Sequence, residues 1–125
     1  MHDTIMVTGG AGYIGAHMVK ALRQAGFRPV VLDDLSSGHR SAVRGEELHV
    51  GDIGDAAFVD RVLDEVKPAA VMHFAGFIQV GESVLDPGKY FRNNVTATQV
   101  LLDAMRARDI RRFIFSSTAA IFGEP

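Results

Sequence analysis

"TIMVTGGAGYIGAHMVKALRQAG" (residues 4–26), followed at once by "FRPVVLDD" (27–34), decides the fold. Residues 4–9 form a short run of β-branched and apolar side chains and read as a strand. From Tyr13 the apolar residues recur at helical spacing as far as Gly26, which is placed as a C-terminal stop. A second strand, 29–34, has Pro29 at its start, where a missing N–H costs little. The alternation then continues. "ELHVGD" (47–52) reads as a third strand, and "DAAFVDRVLDEVKP" (55–68) as a helix with Asp55 as N-cap. Phe58, Val59, Val62, Leu63 and Val66 fall along one face of that helix. "AAVMHFAG" (69–76) gives a fourth strand, residues 87–108 a long helix with much of one face apolar, and "RRFIFSS" (111–117) a fifth strand. Strands that are near-continuous apolar runs suit a parallel sheet covered on both faces. The expectation is one α/β domain over residues 1–125, a doubly wound parallel sheet with about five strands present.

Composition narrows the function classes. The chain has 125 residues, 47% hydrophobic and 22% charged, which argues for a packed globular core and against disorder. Net charge is −2 with no basic stripe, so neither a nucleic acid nor an anionic membrane is an expected partner. There is no cysteine, which excludes disulfides and thiolate metal sites, and the five histidines lack ligand spacing, so no metal is expected. The N-terminus lacks the basic start and long apolar stretch of a signal peptide, and no apolar run approaches the ~20 residues that span a bilayer. The expected location is the cytoplasm.

Between the first strand and the first helix lies "TGGAGYIG", in which Gly9, Gly12 and Gly15 make a G-x-x-G-x-x-G spacing. Glycines suit a tight turn where a pyrophosphate must approach bare backbone N–H groups at a helix N-terminus, and Gly15 would let the helix pack closely on the sheet. The second strand ends in Asp33-Asp34, about 20 residues on, where an acid would bind the adenosine ribose hydroxyls. A carboxylate there repels a 2′-phosphate, which favours NAD over NADP. Arg40, in the loop that follows, reads as a solvated side chain. Strand, glycine loop, helix, strand and acid together make this a Rossmann-type dinucleotide site; an α/β domain with an incidental glycine loop is the alternative.

"VTGGAGYIGAH", "VVLDDLSSG", "GDIGD", "VMHFAG", "VGESVLDPGKYFRNNV" and "FIFSSTAAIFGEP" follow in the order seen in extended short-chain dehydrogenases/reductases. More narrowly, the chain resembles the UDP-glucose (UDP-galactose) 4-epimerase family across essentially its whole length. The glycine loop is common to the superfamily, while the "HFAG…VGESV…P…Y…NNV" block is more specific. The resemblance implies a tightly held NAD, a UDP-hexose substrate and a transient hydride transfer. It implies that Gly9, Gly12, Tyr13 and Ile14 cradle the pyrophosphate and that Asp33 binds the adenosine ribose with Asp34 close by. It places Asp52 and Ile53 beside the adenine, Phe74, Ala75 and Gly76 along the cofactor channel, and Asn94 near the cofactor. Ser116 and Thr118 would face the nicotinamide and the sugar 4-OH, with Thr118 in the catalytic set. One position departs: the family commonly has a Lys where this chain has Ile78, which bears on cofactor retention. Several residues keep a plain structural reading: His73 as a hydrogen-bonded core histidine, Tyr90 and Phe91 as core, and Glu82 as a partner of its own loop.

The superfamily's chemistry also needs a Tyr-x-x-x-Lys pair, Tyr as acid/base and Lys lowering its pKa. Four residues after Tyr13 and Tyr90 stand His17 and Asn94, so neither tyrosine belongs to such a pair. The expectation is therefore the N-terminal, NAD-binding part of a longer enzyme, without turnover alone. Such a piece would leave Phe113, Phe115, Ile121 and Phe122 exposed beside an unpaired strand edge, and would associate as a homodimer or with itself. Another nucleotide-sugar 4-epimerase, a dehydratase, and a non-catalytic NAD-binding module are the alternatives.

Overall fold

The computed structural model describes residues 3–9, 13–35, 43, 45–74 and 87–115, the side chains of 13, 14 and 87–94 excepted. Its elements run β1 (Thr4–Thr8), α1 (Tyr13–Gln24), β2 (Arg28–Asp33), β3 (Glu47–Val50), α2 (Ala56–Val66), β4 (Ala70–His73), α3 (Pro87–Ala107) and β5 (Phe113–Phe115). The strands form one sheet in the order β3-β2-β1-β4-β5, and every pairing is parallel. This is the doubly wound, Rossmann-like sheet that the alternating pattern predicts.

Side chains leave each strand alternately to the two faces, and two cores result. On one face Met6, Val30, Leu32 and Val71 pack with Val59, Val62, Leu63 and Val66 of α2 and Leu101, Ala104 and Met105 of α3. On the other, Ile5, Val7, Val31 and Ala70 pack with Val19 of α1 and with Val43 and Phe74. The four buried α2 residues are among the five the periodicity selects, Phe58 being only partly buried, and each fully buried side chain of this size is worth about 1.5–3 kcal/mol. Arg108, at the end of α3, reaches Asp60 (3.0 Å) and Asp64 (2.7 Å) of α2 and ties the two helices together at the surface.

The helix ends explain how the chain reverses between layers. After α1, Gly26 takes φ +93°, with Gly26 N–H donating to Arg23 O (3.1 Å) and Phe27 N–H to Leu22 O (3.0 Å). These are the paired bonds of a Schellman stop. Asp55 caps α2, its Oδ1 accepting from the N–H groups of Ala57 and Phe58 (3.1 and 3.3 Å). Pro29 sits one residue inside β2 rather than at its start. The strand tolerates it because Arg28 N–H donates to Asp3 O on the β1 side, so position 29 faces β3, which joins only from Val30.

The strand order fixes where a ligand can enter. The chain runs outward from β1 to β2 and β3, crosses over by α2, and returns beside β1 as β4. The reversal leaves a crevice outside the C-terminal ends of β1 and β4, the place where open α/β sheets bind ligands.

Candidate functional site

Thr8, the last residue of β1, pairs in register with His73, the last residue of β4, and both lie at this crevice. Gly9 follows Thr8 with φ +74°, a conformation that L side chains rarely adopt and that glycine takes without strain. Its own N–H donates to Leu32 O (2.8 Å) and so continues the sheet. Gly9 therefore shapes the departure of the chain, and any N–H groups offered to an anion come from beyond it. Helix α1, of 12 residues, opens at Tyr13 on the same side, with Gly15 buried in its first turn. The positive end of its dipole faces the crevice.

Asp33 ends β2 at the same edge and is 8% exposed. Its Oδ1 accepts from Leu35 N–H at 2.7 Å, and Leu35 takes the left-handed conformation, φ 64°. A leucine there carries about 1–2 kcal/mol of strain, and the Asp33 side chain holds the turn that imposes it. Asp34 is exposed beside it. Asp33 O accepts from Gly51 N–H (3.1 Å), which brings the "GDI" segment alongside. Gly51 is a residue the sequence reading passed over. A Cβ at that position would come within 2.5 Å of the Phe58 ring, so the segment can approach α2 only without one. Asp52 is exposed, and its Oδ1 accepts from Gly54 N–H at 2.8 Å. A carboxylate has about four acceptor positions, so this bond does not exhaust Asp52. Ile53 is buried in the core between sheet and α2.

On the other side of the crevice, Phe74 follows β4. Its N–H donates to Thr8 O (2.8 Å) and lies 3.2 Å from Thr8 Oγ1, while its ring is buried against Ile5 and Val7. His73 is 1% exposed. Its Nδ1 lies 2.5 Å from Thr8 Oγ1 and its Nε2 3.1 Å from Thr98 Oγ1 on α3. Burial pushes its pKa down to about 4, so the ring is neutral near pH 7. The core-histidine reading of His73 matches this geometry. No sequence signal points to Thr8 or Thr98, since a threonine at a strand end or mid-helix is ordinary until its partner is known.

The structure thus gathers Gly9, Gly15, Asp33, Asp34, Asp52, Ile53 and Phe74 at the C-terminal edge of the sheet, with Tyr13 and Ile14 in the first turn of α1. Asn94 lies in α3, one turn before Thr98. Gly12, Ala75, Gly76, Ser116 and Thr118 lie outside the described residues, as do Ile78, Glu82, Ile121 and Phe122. Among the described residues no group of three or more His, Asp or Glu side chains could hold a metal ion, and no helix is long and apolar enough to cross a membrane. A charged cleft lined by Lys67, Arg108, Arg111 and Arg112 lies at the opposite edge, where β4 and β5 begin, and holds none of the candidate residues.

Comparison with known proteins agrees with this arrangement. The UDP-glucose 4-epimerase of Rhizobium leguminosarum bv. trifolii is 51% identical over 123 residues, 98% of this chain and 38% of that protein. The crystal structure of UDP-glucose 4-epimerase from Brucella ovis in complex with NAD superposes with a TM-score of 0.86 at 50% identity, covering 92% of this chain and 35% of that one. The Bifidobacterium longum enzyme in complex with NAD+ and UDP gives 0.85 at 35% identity, covering 98% of this chain and 39% of that one. The chain spans less than two fifths of the length of these relatives. The NAD dependent epimerase/dehydratase family model matches residues 5–125, which include the glycine run, the acid after β2 and the β4 edge that frame the crevice. The chain belongs to the NAD-dependent epimerase/dehydratase family.

Proposed function

We propose that this chain supplies the NAD-binding part of a nucleotide-sugar 4-epimerase acting on a UDP-hexose. The observation that carries the reading is the placement of Gly9, Asp33 and Phe74 at the ends of β1, β2 and β4, around the point where the described sheet reverses its winding. The residues present fit a dinucleotide: a turn that favours glycine, a helix N-terminus for a pyrophosphate, and a buried carboxylate at the end of β2 on the same sheet edge. The similarity to UDP-glucose 4-epimerases supports a UDP-hexose as the sugar nucleotide.

NAD, when bound, supplies the hydride acceptor and donor that inversion at C4 of a sugar requires. The chain's own residues bind and orient. Gly9 and Gly12 shape the phosphate turn, and the backbone at Tyr13 and Ile14 donates to it. Asp33 accepts from the adenosine ribose hydroxyls, and its charge disfavours a 2′-phosphate. Asp52 accepts from the adenine amino group beside Ile53. Ala75, Gly76, Asn94 and Ser116 flank the rest of the cofactor. Thr118 hydrogen-bonds the reacting sugar oxygen. Ile78 offers no charge toward the cofactor, so retention rests on the sheet edge and the glycine turn. The protein works in the cytoplasm, and α3, on which Val95 is half exposed, is the surface through which it pairs with a second copy.

The test is conversion of UDP-galactose to UDP-glucose by the complete protein, followed with a UDP-glucose dehydrogenase couple. Turnover is expected, and Thr118→Val should lower kcat by about 10²-fold while Thr118→Ser retains most of it. Absence of turnover by a protein that holds NAD would overturn the epimerase reading and leave the binding module.

A further inference from the structure

His73 is buried, titratable and unused by the function proposed above, yet among the described residues it touches three segments that adjoin candidate site residues. Through Nδ1 it meets Thr8, the residue before Gly9; through Nε2 it meets Thr98, one turn after Asn94. Its ring lies against Phe113 and Phe115 of β5 at centroid distances of 5.9 and 5.5 Å, and Phe115 immediately precedes Ser116. Register places Thr8, His73 and Phe115 in one row across β1, β4 and β5.

Donor counting gives one neutral tautomer that satisfies both ring contacts. Thr8 Oγ1 accepts from Phe74 N–H as the weaker branch of a shared bond and keeps its own proton, which it can give to His73 Nδ1. In that tautomer the imidazole proton stands on Nε2 and donates to Thr98 Oγ1. Both contacts are satisfied by the neutral ring. The imidazolium would bring a second N–H against a hydroxyl that is already donating. No charged side chain accounts for the depressed pKa, whose single cause is burial.

We propose that His73 is a positioning residue for the dinucleotide site: held between Thr8 and Thr98, its imidazole fixes the end of β1 and the start of Gly9 against α3. It does not touch the cofactor, being 1% exposed behind the sheet edge. It acts by keeping Gly9 and the α3 turn that bears Asn94 at one separation, so that a dinucleotide meets both walls of the crevice at once. The inference rests on the NAD reading above.

The experiment measures NADH affinity by fluorescence titration into the cofactor-stripped complete protein, with the melting temperature recorded for each variant. Thr98→Val removes the α3 half of the clasp and should weaken NADH about fivefold, the loss expected for one hydrogen bond, while Thr98→Ser keeps wild-type affinity. His73→Phe keeps the ring packing, loses both bonds and should weaken NADH by more than about tenfold. If His73→Phe fails to fold, the Thr98 pair decides. Variants with lowered melting temperatures but wild-type NADH affinity would overturn the proposal and make His73 a core residue only. A wild-type protein that binds no NADH would overturn both this proposal and the cofactor reading.

Discussion

Two buried ionisable side chains, Asp33 and His73, stand at the crevice and answer to different tests. Asp33 sits where a 2′-phosphate would bring two negative charges together, in a site of reduced dielectric. Asp33→Ala should weaken NADH by about ten- to a hundredfold and NADPH far less, and parallel titrations of the two would show it. Equal losses for both would remove Asp33 from the ribose. For His73 the prediction is one of acid stability. Above its ordinary value of 6.5 the ring is neutral both folded and unfolded; between 6.5 and about 4 only the unfolded chain takes up the proton. Stability should therefore fall as pH drops through that window and level off below it, by about 3 kcal/mol in all. Urea unfolding across the window, set against His73→Gln, which does not titrate, should show the gap between the two narrowing by that amount. A constant gap would contradict it.

Among the elements, the stop after α2 holds a residue in an unfavourable conformation. Lys67 takes φ 49°, ψ 60°, the left-handed region, with its N–H donating to Leu63 O. The position costs a lysine about 1 kcal/mol that glycine would not lose, partly offset by the greater freedom of glycine in the unfolded chain. Lys67→Gly should therefore stabilise by about 0.5 kcal/mol, read as a rise in urea midpoint; a fall would mean that the lysine side chain matters more than its backbone. Gly26 was legible in the sequence as a stop, whereas Lys67 and Asp109 (φ 57°), which end the other helices, were not. Glycine advertises a left-handed residue, and a lysine or aspartate there is imposed by the packing that follows. Strands and helices were legible because their periods are local, and the α2 face was read residue by residue. The site was legible in part. Gly9 and Asp33 follow from spacing, but Gly51 matters only because Phe58 lies over it, and the Thr8–His73–Thr98 chain joins residues distant in sequence.

For the whole molecule, the sheet is deeply buried at its centre and open at its sides. β1 and β2 are covered on both faces, as a parallel sheet requires, while β3 and β5 at the two edges are half exposed. Ile114 and Phe115 are 51% and 52% exposed on β5, as the sequence predicts for Phe115, whereas Phe113, also expected to be exposed, packs partly buried against the core. The crevice lies between the buried centre and that edge, so a cofactor seated there is framed by the best-packed strands. The central claim is that this crevice holds NAD. Native mass spectrometry of the purified complete protein tests it most directly. The account predicts a mass increment of one NAD per chain, lost on denaturation and absent in a protein carrying Gly9→Val. A native mass equal to that of the bare chain, unchanged when NAD is added in excess, would contradict it.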